Sequence, residues 1–201
     1  MSVEKQAIRQ ALREQRRRLA AAFVETASRA ACERVRAFRP FRSCASVIAY
    51  VAHENEVSPA SLLDQAHGHR RVFLPRDGSE CGLILWRSGD PLVVGRGGVQ
   101  QPLGAAALVI DTPALALVPV VAWDQQGTRL GRGGGFYDRL FARLTDGCVR
   151  VGLAYEFQEW PELPRDPWDV SLHYVITERR LVRCRGTVVG EAPLQKGGMQ
   201  L

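Results

Sequence analysis

The chain has 201 residues, 46% of them hydrophobic and 24% charged, which is the composition of an ordinary globule with ample material for a core. No apolar run approaches the ~18 residues of a membrane span, and the charged N-terminus lacks a signal-type apolar segment, so the expectation is a cytoplasmic protein with no membrane partner. The net charge of +6 is uneven: residues 1–42 hold eleven Lys/Arg against four Glu, while the other 159 residues sum to −1.

Five cysteines at 32, 44, 81, 148 and 184 are odd in number, widely spaced and never in a CxxC pair, which disfavours a disulfide framework or a zinc site. His67 and His69 flank a glycine in a predicted loop and lack partners at ligand spacing. His53 and His173 likewise show no partner in sequence.

The first predicted element is an amphipathic helix over 3–20. It has Ser2 as N-cap, Ile8, Leu12 and Leu19 on one stripe, and Lys5, Arg9, Arg13, Arg16 and Arg17 around the rest. Lys5 and Arg9 are i, i+4 neighbours able to face one anion, or simply solvated. A second helix spans 24–38 and stops at Pro40. Residues 45–51 form a buried strand, followed by the acidic loop His53-Glu54-Asn55-Glu56 and a helix opened by Ser58-Pro59. In open α/β sheets ligands bind beyond the carboxyl ends of strands, where Glu54 and Glu56 would lie.

Strands are expected at 71–75, 83–86, 93–94, 107–110, 115–123, 149–154 and finally 174–177. The turn Asp124 to Gly127 feeds the most informative run, Arg129-Leu130-Gly131-Arg132-Gly133-Gly134-Gly135-Phe136-Tyr137-Asp138. Glycines let backbone N–H groups converge, and a helix N-terminus behind them adds partial positive charge, so the run reads as a phosphate loop. The helix is carried by Phe136, Leu140, Phe141 and Leu144 on one face. The loop ends Gly-Phe-Tyr, so it is neither a Walker loop nor a dinucleotide fingerprint. Asp138, in the first helical turn, is either a dipole-stabilising carboxylate or a magnesium ligand.

The tetrapeptide Gly95-Arg96-Gly97-Gly98 repeats Gly131 to Gly134, but Val99-Gln100-Gln101-Pro102 comes after it. That continuation predicts a loop of low functional weight. Residues 185–201 carry four glycines and little periodicity, and are expected to be a loosely ordered tail behind a single domain over 1–184.

Taken in order, several of these features resemble the 5-formyltetrahydrofolate cyclo-ligase family, also called methenyltetrahydrofolate synthetases. They are Lys5-x-x-x-Arg9, Tyr50 to Glu56, Leu74-Pro75, the run Arg129 to Asp138, Gly152 to Ala154, and Trp168-Asp169 with Ile176-Thr177. The resemblance runs from residue 5 to about 182. It implies a ligase on a three-layer α/β/α fold with a mixed, mostly parallel sheet, like that of sugar-phosphate isomerases and CoA transferases. The implied reaction closes the N5-formyl group of 5-formyltetrahydrofolate onto N10, with ATP as co-substrate and Mg2+ as cofactor, through a phosphorylated formyl intermediate.

By resemblance, Lys5, Arg9, Arg129 and the loop Gly131, Arg132, Gly133, Gly134, Gly135, Phe136 and Tyr137 bind ATP, with Arg132 and Tyr137 in catalytic roles. Asp138 and Asp169 are the implied magnesium carboxylates. Tyr50, Val51 and Glu56 line the implied folate pocket, with Trp123 and Tyr155 either further aromatic walls or core residues. Three positions depart from the family pattern: some members carry Lys where Gly134 stands, Tyr is common at Phe136, and some carry an acid at His173. The implied partners are small molecules bound by a monomer, without nucleic acid. Two readings stand beside this one, a phosphosugar isomerase or lactonase on the same architecture, and a nucleic-acid module using the basic helices. The basic region lacks the interleaved aromatics that stack bases.

Overall fold

A computed structural model of the chain describes residues 2–66, 70–76, 82–104, 114–144 and 147–187. Helix α1 (Val3–Arg17) opens on Ser2, whose Oγ accepts from the Lys5 N–H, and α2 (Ala21–Ala37) comes after a short break. Pro40 does not simply end α2. It sits in the first turn of a short helix α3 (Arg39–Ser43), where a missing N–H costs nothing.

Then come β1 (Ser46–Ile48), α4 (Ala60–Ala66), β2 (Arg71–Arg76), β3 (Gly82–Trp86), β4 (Leu92–Val94), β5 (Gln100–Pro102) and β6 (Ala114–Pro119). They are followed by β7 (Ala122–Trp123), β8 (Arg129–Leu130), α5 (Phe136–Arg143), β9 (Cys148–Leu153), β10 (Tyr174–Ile176) and β11 (Leu181–Arg183). The expected strand at 107–110 lies outside the described residues, as do His67, His69 and Cys81.

Seven strands form one sheet in the order β11-β10-β9-β6-β1-β2-β3. The five central strands are parallel, and β3 and β11 pair antiparallel at the edges, giving the expected mixed, mostly parallel sheet. β11 is a correction, since 174–177 was expected to be the last strand. Its three residues, with Leu181 and Arg183 both exposed, gave no periodic signal, and pairing with β10 creates it.

Burial on both faces explains the near-continuous apolar strands. Val47, Leu115, Leu117, Val151 and Leu153 face α2, α3 and α4 in one cluster with Ala31, Cys32, Val35 and Phe41. The intervening residues Ile48, Ala116 and Val118 point the other way, onto Leu140 and Phe141 of α5 and onto Leu172. The period-2 alternation thus feeds two cores from each strand.

Two hairpins complete the frame, β4–β5 and β7–β8. Ile8 and Leu12 of α1 pack on Val121, Ala122, Leu130 and Leu163 around the second of these. The tail expected to be loose starts ordered. Arg185 and Gly186 donate backbone bonds to Gln125 and Gln126, and the Thr187 hydroxyl donates to the Leu172 carbonyl.

Candidate active site

A cavity of about 480 Å³ opens at the carboxyl ends of the parallel strands, bordered by Tyr50 after β1, Pro75 of β2 and Pro119 of β6. This is where the α/β rule places a ligand. The Arg129 to Asp138 run forms its floor, and Lys5, Arg9, Val51, Glu56 and Asp169 also line it.

The glycine loop is built as the sequence suggests. Gly135 stands at the α5 N-cap with φ 62°, a left-handed conformation that favours glycine. The N–H groups of Gly133, Gly134 and Gly135 donate to no acceptor among the described residues, while the Gly131 and Gly134 carbonyls accept from Arg9 Nε (2.8 Å) and Arg139 Nη1 (2.7 Å). The carbonyls are tied back and the amides are left for an anion.

The cations are not free charges. Lys5 Nζ lies 2.7 Å from Asp169 Oδ2 and 2.8 Å from Asp166 Oδ2. Burial pulls the Lys5 pKa down, but the hydrogen bonds to the two aspartates outweigh it and the net shift is upward, so Lys5 stays charged. For Asp169, burial raises the pKa, and the Asp166 N–H and Lys5 overcome it to leave the carboxyl below its usual range. Arg129 donates to the Val170 carbonyl and pairs with Asp138 Oδ1 at 2.7 Å, and Asp138 also accepts from the Val170 N–H at 3.0 Å. Asp166 was missed in sequence because nothing in its local pattern signals that Lys5, 161 residues away, will reach it.

The two expected magnesium carboxylates therefore each hold a cation through one oxygen. Among the described residues no cluster of three or more His, Cys, Asp or Glu is placed to hold a metal. The donor chemistry still suits Mg2+. That ion takes oxygen ligands, keeps several waters and is held by one or two carboxylates plus substrate phosphates. Asp138 and Asp169 both line the cavity, with one carboxylate oxygen of each outside these bonds.

Beside the glycine loop the acidic loop meets the arginines of α1 and Arg132. Glu54 pairs with Arg13 Nη2 at 2.8 Å and Arg17 Nη2 at 3.3 Å, and Arg16 donates to the Glu54 carbonyl. Burial would raise the Glu54 pKa, but Arg13 and then Arg17 bring it to about 2. Glu54 and Asn55 have φ of 50° and 58°, and the Asn55 side chain donates to the carbonyls of Arg16 and Arg17. Much of the N-terminal charge excess is thus engaged inside the molecule, a pairing that helical spacing alone could not reveal.

Glu56 is buried. Its Oε2 accepts from the His53 N–H, and its Oε1 sits 3.4 Å from Arg132 Nη2 and 3.5 Å from Arg16 Nη2. Both guanidinium nitrogens are buried without a hydrogen bond, as is the Tyr137 hydroxyl. Burial, with Glu56 nearby, pushes the Tyr137 pKa far above its usual value, so the phenol stays protonated and can donate. Unsatisfied buried donors around one carboxylate are costly unless a ligand completes them.

Trp123 and Tyr155 are corrections to the expected substrate wall. Both are fully buried and neither lines the cavity: the Trp123 indole N–H donates to the Tyr155 carbonyl, and the Tyr155 hydroxyl donates to the Asn55 carbonyl. His173 is not free either. It is buried, accepts from the Arg150 N–H, and burial followed by Arg150 lowers its pKa to about 4, which keeps it neutral. The first glycine copy is a tight turn with no helix behind it, but its continuation is strand β5 where a loop was expected, and Gly97, Val99, Gln100 and Gln101 line the cavity. Only long-range packing brings that hairpin over the site.

The sequence matches the profile of the 5-formyltetrahydrofolate cyclo-ligase family over residues 1–178. It is 28% identical to 5-formyltetrahydrofolate cyclo-ligase of Escherichia coli K12, covering 85% of this chain and 98% of that protein. The enzyme of the same name from Mycolicibacterium smegmatis is 33% identical over 67% of this chain and 74% of its own length. The fold superposes on 5,10-methenyltetrahydrofolate synthetase of Aquifex aeolicus with a TM-score of 0.78 and 29% identity, covering 96% of this chain and 98% of that one.

Proposed function

The chain belongs to the 5-formyltetrahydrofolate cyclo-ligase family, and from that premise we propose that it converts 5-formyltetrahydrofolate to 5,10-methenyltetrahydrofolate at this cavity, with ATP cleaved to ADP and phosphate. One observation carries the reading. A phosphate-type glycine loop with open amides, five cations and a buried glutamate all border a single cavity.

In this reading the formyl oxygen attacks the γ-phosphorus of ATP, ADP leaves, and the formyl carbon becomes an iminium phosphate. N10 then attacks that carbon and loses its proton. Phosphate departs with the former formyl oxygen and leaves the amidinium of the methenyl product. Phosphoryl transfer asks a protein mainly for positioning and charge neutralisation. The amides of Gly133 to Gly135, with Lys5, Arg9 and Arg129 around them, supply that for the triphosphate, as does the α5 N-terminus. Mg2+, held by Asp138 and Asp169, would neutralise phosphate oxygens.

Glu56 is suited to accept hydrogen bonds from the N–H groups of the pterin, with Tyr50 and Val51 beside it. Arg132 of the glycine loop meets Glu56, Tyr137 follows it at the start of α5, and their unsatisfied donors are suited to the oxygen that passes from formyl group to phosphate. Among the described residues no helix is long and apolar enough to cross a membrane.

The test is to incubate the protein with 5-formyltetrahydrofolate, ATP and magnesium, following methenyltetrahydrofolate by absorbance and ADP by a coupled assay. Equal yields of the two products are expected. Folded protein that forms no methenyl product, or forms it without ATP, would overturn the reading.

A further inference from the structure

The cavity has four aromatic side chains on its border, and three are already occupied. Tyr50 is buried in the core cluster under the sheet, and its hydroxyl donates to the Val57 carbonyl. Phe136 and Tyr137 pack edge-on against each other with ring centroids 5.3 Å apart, and Tyr137 also meets Phe141 at 5.8 Å. Trp168 is different. It lines the cavity yet is 70% exposed, with no ring contact or hydrogen bond to its indole among the described residues. A tryptophan buries about 150–250 Å² when covered, so an open one at the rim of a binding cavity is an unspent contact surface.

The backbone around Trp168 is pinned. The Asp169 N–H donates to the Asp166 carbonyl at 3.0 Å, and the Asp166 N–H donates to Asp169 Oδ2 at 2.8 Å. The carboxylates at both ends of this four-residue turn grip Lys5. The next residue, Val170, bonds Asp138 and Arg129 through its own N–H and carbonyl. The indole therefore stands on a segment tied to Lys5 through Asp166 and Asp169 and to Arg129 and Asp138 through Val170.

We propose that Trp168 is the platform on which the adenine base of the nucleotide stacks, so that the base leaves the phosphate loop along the Asp166–Asp169 turn. This rests on the assignment of ATP to the Lys5 and glycine-loop side. Stacking on an aromatic face needs no hydrogen-bond reader, and the size of base–aromatic contacts corresponds to a loss of about tenfold or more in affinity on truncation. Because the indole is exposed, removing it leaves the fold intact.

The experiment compares wild type, Trp168→Ala and Trp168→Phe for three quantities: KM for ATP, KM for 5-formyltetrahydrofolate, and inhibition by tripolyphosphate, which carries the phosphates without a base. Thermal midpoints are measured in parallel. Trp168→Ala should raise the KM for ATP about tenfold or more, leave kcat and the folate KM within about twofold, and leave tripolyphosphate inhibition unchanged. Trp168→Phe should recover most of the loss, and ATP should quench wild-type tryptophan fluorescence more than tripolyphosphate does.

If ATP and tripolyphosphate weaken together, Trp168 merely supports the turn that holds Lys5. If only the folate KM rises, the ring receives the folate. If ATP KM does not move, the platform does not exist. Any of these overturns the assignment while leaving the ATP reading intact. Wild type that neither uses ATP nor is inhibited by tripolyphosphate would remove the underlying reading itself.

Discussion

The tetrapeptide Gly-Arg-Gly-Gly occurs twice and borders the same cavity both times, yet the two copies are put together differently. In the first, the Gly95 N–H bonds the Val99 carbonyl and the Gly98 N–H bonds the Gly95 carbonyl, closing the β4–β5 hairpin on itself. Two of its backbone amides are spent. In the second, the chain runs into α5, its carbonyls are held by Arg9 and Arg139, and its amides stay open. Identical residues thus give a closed turn in one place and a row of open amides in the other. The downstream residues make the difference: Val99 to Pro102 continues as strand, and Phe136 to Arg143 as helix.

The largest test of that contrast is Arg132→Ala, which removes the cation of the second copy. Turnover should fall about 10²–10³-fold, the usual cost of losing one donor at a developing charge, with the thermal midpoint nearly unchanged. A near-normal rate would reduce the second copy to a structural loop. Asp138→Asn probes the helix that follows the second copy and not the first. It weakens the pair with Arg129 and should shift the magnesium titration by about tenfold. An unmoved titration would take Asp138 out of metal binding.

Alanine scanning then separates the loops by strain. Gly98 has φ 78°, and an added Cβ would come 3.1 Å from His53 Cε1, so Gly98→Ala should cost about 1–2 kcal/mol of stability. At Gly134 an added Cβ would enter open space and the φ is not positive, so Gly134→Ala should stay within about 0.5 kcal/mol. Equal destabilisation in thermal melts would break the comparison.

The smallest effect concerns acid. Glu54 drops from 4.5 to about 2 on folding, so its pairing supports the fold above about pH 4.5 and is lost as the pH falls toward 2. Glu54→Gln should flatten the thermal midpoint's pH dependence in that window. Because the pair is partly exposed, the change is modest. Identical acid limbs in the two proteins would show that Glu54 contributes nothing there.

Local signals were legible in the sequence. The apolar strands, α1 with its Ser2 cap, and the glycine run before a 3.6-residue pattern all come from short-range rules. What escaped was set by distance. Arg16 was one more cation on a helix until Glu56 met it from beyond the far end of β1, and Asp166 was an ordinary loop acid until Lys5 closed on it. Trp123 and Tyr155 illustrate the reverse case, since aromatic identity left wall and core both open and packing put both in the core.

The grip of Lys5 on Asp166 and Asp169 also sets an order of events during synthesis. The lysine's partners are made 161 and 164 residues after it, so at roughly 5–20 residues per second α1 waits on the order of ten to thirty seconds. Through that interval Ile8 and Leu12 have no Leu163 to cover them. A ribosome paused before the Asp166–Asp169 turn therefore holds a chain whose sheet can already have paired β1, β2 and β6 while its cavity still lacks a side, and competence for catalysis waits until that turn has been made.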